Sequence, residues 1–437
     1  KDSGVKWLGE IPEHWAVNKL KFLLKKNQSG TWGDKPTNGG KIVLRSTEQS
    51  EDGSWQIQDP AIRKLTEEEF KETKLEAGDL VITTSSGSKD HIGKTSLVTK
   101  KIEEKDCSFS NFMQRIRPTN SLDSKFLLYL FNSDICREQF KYYQNSTTGL
   151  GNINGELIGQ LRIPLVPVDE QKAIVEFLDR ETGKIDRLIE RKEELIDLLR
   201  EKRTALITET VTQGLDPDVE MKDSGVEWLG EIPEDWEVST LGHVTHQLTN
   251  GYVGSTNDIL QDDGVPYIQS THIENGEIKF NGEYYVTEKW NQEHKNSILS
   301  AGDVLIVQSG DVGECAVVEK NLEGANCHAL IIAKTVEEVE GKYLNNFLRT
   351  KLGKDLLKLT QTGATIKHLN TTRVKDVSVL IPPKQEQLNI VSYIEDQTTK
   401  IDQSIEKIEE AIVKLKEYRT ALITAAVTGK IDVRGEV

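Results

Sequence analysis

Two stretches of the chain carry an apolar stripe at helical spacing, and each is a copy of the other. In the first, Ile174, Leu178, Ile185, Leu188, Leu195, Leu199 and Leu206 recur at intervals of three, four or seven residues. In the second, Ile390, Ile394, Ile401, Ile408, Leu415 and Leu422 keep the same frame, with Ala411 and Tyr418 between them. Glu170-Gln171 maps onto Glu386-Gln387, Ile185-Asp186 onto Ile401-Asp402, and the run Arg203–Thr208 onto Arg419–Thr424, all at one offset of 216 residues. Pro167 and Pro383 stand before the starts and Gly214 and Gly429 after the ends, the punctuation expected of helices. A narrow stripe sustained over several heptads, with charges on the remaining faces, predicts a coiled coil. The simpler reading, one amphipathic face on an ordinary core, fits the charge-rich remainder less well.

The duplication extends to the whole chain. KDSGVKWLGEIPEHW at Lys1–Trp15 returns as KDSGVEWLGEIPEDW at Lys222–Trp236, identical at thirteen of fifteen positions. Trp7, Ile11, Pro12 and Trp15, like Trp228, Ile232, Pro233 and Trp236, read as an apolar clip onto a neighbouring element. Between clip and helix the two halves differ in sequence but share punctuation. Ala77–Ile82 matches Ala301–Ile306, a turn into a buried strand. A polar loop follows each strand, Thr83–Ser88 and Gln308–Asp311, and a helix comes later, near Ser124–Asn132 and Lys342–Thr350. Each half then has a Thr-Gly turn, Thr148-Gly149 and Thr362-Gly363.

The expected fold is α+β: a tandem duplication with pseudo-two-fold symmetry, in which two related domains are separated by a long antiparallel two-helix coiled coil. Its parts are a first domain at 1–166, a helix at 167–214, a second domain at 222–382 and a helix at 383–429. The antiparallel arrangement follows from connectivity, because a compact domain usually has its two ends close together. Residues 170–212 would span roughly 60 Å as a helix. Such a rod could hold two binding surfaces apart by one or more turns of a DNA duplex, at about 34–36 Å per turn.

Composition narrows the function classes. At 437 residues, 36% hydrophobic and 29% charged, the chain should form two to four soluble domains. No apolar run approaches membrane-spanning length and no secretory signal opens the sequence, so a cytoplasmic location without membrane contact is expected. Cys107, Cys136, Cys315 and Cys327 form no CxxC pair and read as reduced thiols. Cys315 with Cys327-His328 lacks a fourth zinc ligand, and His243 and His246 lack support, so no metal is expected. A net charge of −16 counts against nucleic-acid binding, although a local basic surface can sit on an acidic protein.

Catalytic motifs fail on inspection. Gly87–Thr95 looks like a phosphate-binding loop, but the position five before Gly93 holds Ser88 instead of glycine. Asp218, Glu220 and Lys222 carry the letters of a nuclease motif, crowded into one linker. No amino-methylation tetrad, S-adenosylmethionine loop or Ser-His-Asp set is found. These absences favour a non-catalytic protein.

The duplicated W-L-G-E-I-P-x-x-W, the P-x-x-E-Q helix starts at Pro167–Gln171 and Pro383–Gln387, and the Ile-Asp and Arg-Thr-Ala-Leu-Ile-Thr segments resemble the specificity subunit of type I restriction-modification systems, over essentially the whole chain. The resemblance implies a DNA sequence-specificity subunit that is not itself an enzyme. Each variable region would be a target recognition domain reading one half of a bipartite site in double-stranded DNA. The helices would dock two adenine-N6 methyltransferase subunits, and restriction/translocase subunits would complete the complex. It implies no cofactor in this chain, with S-adenosylmethionine, ATP and Mg carried by the partners.

The candidate DNA contacts lie in loops and have side chains able to bond base edges or phosphates. In the first domain they are Arg45, Ser46, Thr47, Ser85, Ser86, Ser88, Lys89, His91 and Lys94. In the second they are Gln269, Ser270, Thr271, Gln308, Ser309, Asp311, Thr365, Lys367 and His368. Two rival readings are a specificity subunit whose partner chain fuses methylation with cleavage, and a coiled-coil scaffold without DNA binding. For the coil itself, Leu195→Asp or Ile408→Asp is expected to bury a charge in the seam.

Overall fold

The computed structural model describes residues 1–435 apart from 51, 88–90, 147–152, 227–228 and 363–367, and only the backbone at 143–146. It divides into two compact units, Lys1–Glu193 with Glu409–Val437, and Glu194–Ile408.

Each unit repeats one sheet plan. The first has a four-stranded antiparallel sheet in the order Leu24–Ser29, Met113–Pro118, Leu80–Thr83, Thr95–Leu97. The second has Thr245–Asn250, Leu330–Thr335, Val304–Val307, Cys315–Val317 in the same order. Beside each lies a smaller sheet with one parallel pair, Lys41–Leu44 with Cys107–Phe109 and Val265–Ile268 with Asn326–Cys327. The helices Ser124–Phe131 and Gly341–Arg349 cover the large sheets at the positions the sequence predicts. Of the two Thr-Gly turns, only Thr362 lies among the described residues, in the short strand Gln361–Thr362.

The Ala-Gly-Asp turns work as expected, for a reason the motif alone hides. Gly78 and Gly302 adopt φ of 93° and 90°, which favours glycine. Asp79 then accepts the Glu76 N–H at 3.0 Å and a two-pronged bond from Arg117 at 2.6 and 2.8 Å. Asp303 accepts the Ser300 N–H at 2.8 Å and the Lys334 ammonium at 2.5 Å. Both carboxylates are buried, so each needs its cation, and the cation comes from the neighbouring strand. The turn thereby sets where Leu80–Thr83 and Val304–Val307 enter the sheet, with every residue buried.

Strand pairing closes each domain. Ala16–Lys19 runs antiparallel to Arg162–Leu165, and Glu237–Thr240 to Ser378–Ile381. The strand after the duplicated motif thus lies beside the strand before the long helix. The helices follow, Val168–Gln213 and Lys384–Val427, of 46 and 44 residues.

The two helices run antiparallel within both units. In the first, Arg419 Nε lies 2.8 Å from Asp186. In the second, Arg203 Nε lies 3.2 Å from Asp402, the same pair with the repeats exchanged. Gly429, past the end of the second helix, lies against the motif that holds the start of the first. A Cβ there would sit 2.5 Å from Pro12 Cδ and 3.0 Å from Trp15 Cη2, and φ is 70°. Gly214 repeats this beside Trp236 and Glu386, with φ of 83°.

The seam needs one correction. Ile174, Leu178, Ile185, Ile390, Ile394 and Ile401 are buried, and Leu199, Leu206, Ile408, Leu415 and Leu422 are half-buried. Leu188 and Leu195 point outward, 44% and 45% exposed, while Ile189 and Ile196 take the inner positions. Thr182 and Thr398 are also buried, each four residues after a seam residue, and each bonds back to a carbonyl of its own helix at 2.6 and 2.7 Å. These extra four-residue steps advance the stripe past the strict heptad frame, nearer the 3.6-residue repeat of a straight helix.

Ile196→Asp is therefore expected to cost roughly 3 kcal/mol or more, by burying an unpaired charge. Leu195→Asp should stay within about 0.5 kcal/mol of the parent. Denaturant melts of the two variants check this, and equal losses would restore Leu195 to the seam.

Candidate functional site

The duplicated motif and the Glu-Gln pair form the most strictly repeated site in the molecule. The Trp15 indole N–H donates to Glu170 Oε2 at 3.1 Å, and the Trp236 indole to Glu386 Oε2 at 3.0 Å. Burial pushes the Glu386 carboxyl upward, against the opposing pull of the indole bond. Gln171 accepts the Asp123 N–H at 2.6 Å and donates to the carbonyls of Ser121 and Val166 at 3.0 and 2.8 Å. Gln387 does the same with the Glu340 N–H at 2.8 Å and the carbonyls of Glu338 and Pro382 at 3.1 and 2.8 Å. Both amides are fully buried. These groups join domain to helix, and the amide of each glutamine is spent on backbone partners.

The loops that differ between the halves behave otherwise. In the first unit Arg45, Ser46, Thr47, Ser85 and Ser86 come together around a cleft of about 380 Å³, with Trp32, Gly87, Ser110 and Phe112. Arg45 begins a short turn that closes on Glu48. Its Nε donates to Glu48 Oε1 at 2.7 Å and a second guanidinium nitrogen to the Asp59 carbonyl at 2.6 Å. The Glu48 carboxylate also accepts the Arg45 backbone N–H. The guanidinium is thus held at the rim by a buried acid.

The other first-domain candidates divide. His91 is exposed after the strand loop. Lys94 turns inward, its ammonium 2.8 Å from the Gln49 carbonyl. Ser88 and Lys89 lie outside the described residues.

In the second unit Gln269, Ser270 and Thr271 form the equivalent turn, closed by a different residue. The Gln269 N–H donates to His272 Nδ1 at 3.1 Å where the first unit uses Glu48. Gln308 is committed to structure, with Nε2 bonded to the Leu369 carbonyl at 2.9 Å. Ser309, Asp311 and His368 are exposed, and Thr365 and Lys367 lie outside the described residues. A cleft of about 460 Å³ in this unit is lined by other residues, among them Tyr252, Val253, His294 and Lys295. Trp290 stacks on His294 with ring centroids 3.9 Å apart, and Tyr252 stands edge-on to both at 5.1 Å.

Sequence reasoning missed Trp32, Phe112, Tyr252, Trp290 and His294. Trp290 lies within the six-residue helix Glu288–Glu293 and His294 caps its C-terminus, a stretch too short for a periodic signal. The others are single aromatics in loops.

Among the described residues no three His, Cys, Asp or Glu converge as metal ligands. Burial pushes the Cys107 thiol up to about 11 and those of Cys136, Cys315 and Cys327 up to about 12, which favours the protonated form.

Comparison with known proteins gives a consistent result. The model of the type I restriction modification DNA specificity domain matches residues 12–197 and again 233–413. A putative type I restriction enzyme MjaX specificity subunit from Methanocaldococcus jannaschii is 24% identical, over 98% of this chain and 96% of its own length. The type I restriction enzyme EcoKI specificity subunit of Escherichia coli K12 is 24% identical, over 82% of this chain and 76% of its own. A chain from a study of complex assembly and conformational transition in the type I R-M system superposes with a TM-score of 0.73 at 16% identity, covering 97% of this chain and all of that one. The HsdS subunit from Thermoanaerobacter tengcongensis superposes at 0.56, also 16% identical, over 97% and 98% of the two chains.

The turn at Gln269 should be sensitive to acid. Burial beside the rings of Phe280 and Tyr284 pushes the His272 imidazole down, against the pull of Asn281 and Glu283. Its folded value lies below the unfolded one, so its contribution is complete above about pH 6.5 and is lost as pH falls through the lowered value. Protonation removes the acceptor that closes the turn. Stability measured from pH 7.5 to 5 should fall more steeply for the parent than for His272→Gln, and identical slopes would rule this out.

Proposed function

Because the chain belongs to the type I restriction modification DNA specificity family, we propose that its two domains each read one half of a bipartite site in double-stranded DNA. The protein is the DNA sequence-specificity subunit of a type I restriction-modification complex and is a non-catalytic member of it. We assign residues 1–166 and 222–382 to target recognition, and 167–214 and 383–429 to the helices that carry partners. Those partners are two adenine-N6 methyltransferase subunits, which bring S-adenosylmethionine, and restriction/translocase subunits, which use ATP and Mg. No described helix is long and apolar enough to cross a membrane, and the assembly belongs in the cytoplasm, where it meets DNA.

The observation that carries the DNA reading is the first-unit cleft. It gathers Arg45, Ser46, Thr47, Ser85 and Ser86, and its described lining has no carboxylate, on a chain with 71 Asp and Glu. Four other clefts are each lined by acids: Asp52, Asp179 and Asp186 in one, Glu209 and Asp216 in another, Glu293 in a third, and Glu277, Glu319 and Glu395 in a fourth. Although the buried Glu48 offsets the Arg45 charge, a lining of hydroxyls, aromatic rings and a guanidinium with no carboxylate of its own suits phosphates and base edges. The remaining charge compensation falls to the partners.

The outward leucines support the docking role of the helices. Leu195 and Leu198 are 45% and 60% exposed, three residues apart on one helix face. At the repeat-related positions the second helix has Ala411 and Lys414.

Two experiments follow. Exchanging residues 17–163 for another recognition domain should change one half of the methylated motif and leave the other, read by mapping methyladenine across a genome; an unchanged motif rejects the reading. The double variant Leu195→Glu, Leu198→Glu should melt like the parent yet retain less methyltransferase on co-purification. Full retention would move the docking surface elsewhere.

A further inference from the structure

The first-unit cleft has two aromatic walls without counterparts in the second. Main-chain bonds align the units at this point. Gly30 N–H donates to the Met113 carbonyl and Thr31 N–H to that of Phe109, as Gly251 does to Leu330 and Tyr252 to Cys327. Ser110 N–H bonds Leu44 as His328 N–H bonds Ile268. Trp32 therefore corresponds to Val253. Between Ser110 and Met113 the chain places Asn111 and Phe112, where the second unit has Ala329 alone between His328 and Leu330.

Phe112 is exposed but its backbone is fixed. Its carbonyl accepts the N–H groups of Thr84 and Ser85 at 2.9 and 3.3 Å, and its own N–H donates to Ser110 Oγ at 3.3 Å. The side chain is 56% accessible on this anchored turn. Trp32 carries the Arg63 guanidinium 4.0 Å from its ring centre, a contact that orients the indole.

The chemistry of the recess selects its occupant. None of the buried side-chain polar atoms that lack a partner, among the described residues, belongs to the lining. The recess has aromatic walls, hydroxyls and one guanidinium at the rim, and no described acid. It calls for an apolar group carried by an anionic polymer. In the major groove that group is the pyrimidine 5-methyl, which protrudes beside hydrogen-bonding edges. An extruded base would need buried partners for its own polar edge, so the methyl group is the better match.

The geometry points to Phe112, backed by Trp32, as a specificity residue that reads a pyrimidine 5-methyl group in the first half-site. The inference rests on the DNA reading above and names the base feature it recognises there. Two sources carry this methyl, thymine and 5-methylcytosine, and they can be told apart.

The test uses the complete complex with its methyltransferase and duplexes containing its mapped motif. Each thymine of the first half-site is replaced singly by uracil, and each cytosine singly by 5-methylcytosine. One uracil should weaken binding about fourfold, the worth of one buried methylene-sized group, if thymine is read; one 5-methylcytosine should strengthen it similarly if that base is read. Phe112→Ala should abolish the discrimination, Phe112→Leu should keep part of it, and neither should alter selectivity in the second half-site. A parent complex indifferent to every exchange, or a Phe112→Ala complex that still discriminates, overturns the assignment. A parent complex that binds its motif no better than scrambled DNA overturns the DNA reading as well.

Discussion

A buried hydrogen-bonded clasp at the head of each long helix makes the rest of the structure possible. An indole donates to a glutamate, and the next residue, a glutamine, spends its amide on three backbone groups of the domain and the helix start. The bond to the carboxylate is worth about 1.5–3 kcal/mol and each neutral bond about 0.5–1.5, while leaving a buried amide group unpaired costs about 1–3. The clasp therefore tolerates little slack between domain and helix. Both copies use the same atoms at nearly the same distances.

A second constraint follows from the first. The glycine beyond each helix must pass close to the clasp at the start of the other helix, and a Cβ at Gly429 would collide with Pro12. The duplicated motif, the glutamate and the terminal glycine thus form one packing unit that must be duplicated together. Divergence falls between the motif and the helix, where it disturbs neither the clasp nor the buried Asp79 and Asp303 charge pairs. This division of labour lets one scaffold carry two different surfaces. The first bears Arg45 held by Glu48, with Trp32 and Phe112 close by; the second bears Gln269 closed by His272, and a Tyr252–Trp290–His294 aromatic group.

The acidic balance of the chain is compatible with this division. The helices carry charge outside their seam, and much of it is paired along or between helices, as in Lys184–Glu181 and Arg419–Asp186. Exposed pairs of this kind add little stability, typically below 1 kcal/mol, but they keep the outer faces hydrated. The outer face is apolar at a few places, among them Leu188, Leu195 and Leu198 on the first helix and Val413 on the second.

The sequence alone determined the duplication, the two helices and their antiparallel sense, the α+β class and the glycine and aspartate turns. Those features rest on local periodicity, on backbone conformations open to few residues, and on chain connectivity. It could not choose between Leu188 and Ile189, or Leu195 and Ile196, because both members of each pair are apolar and only the partner helix decides which faces inward. Nor could it separate Lys94 and Gln308, turned toward backbone carbonyls, from Arg45 and Ser85, which open onto a cleft. Phe112 and Trp32 line one cleft because the strands beside them, Met113–Pro118 and Leu24–Ser29, distant in sequence, pair side by side. That juxtaposition exists only in the folded chain.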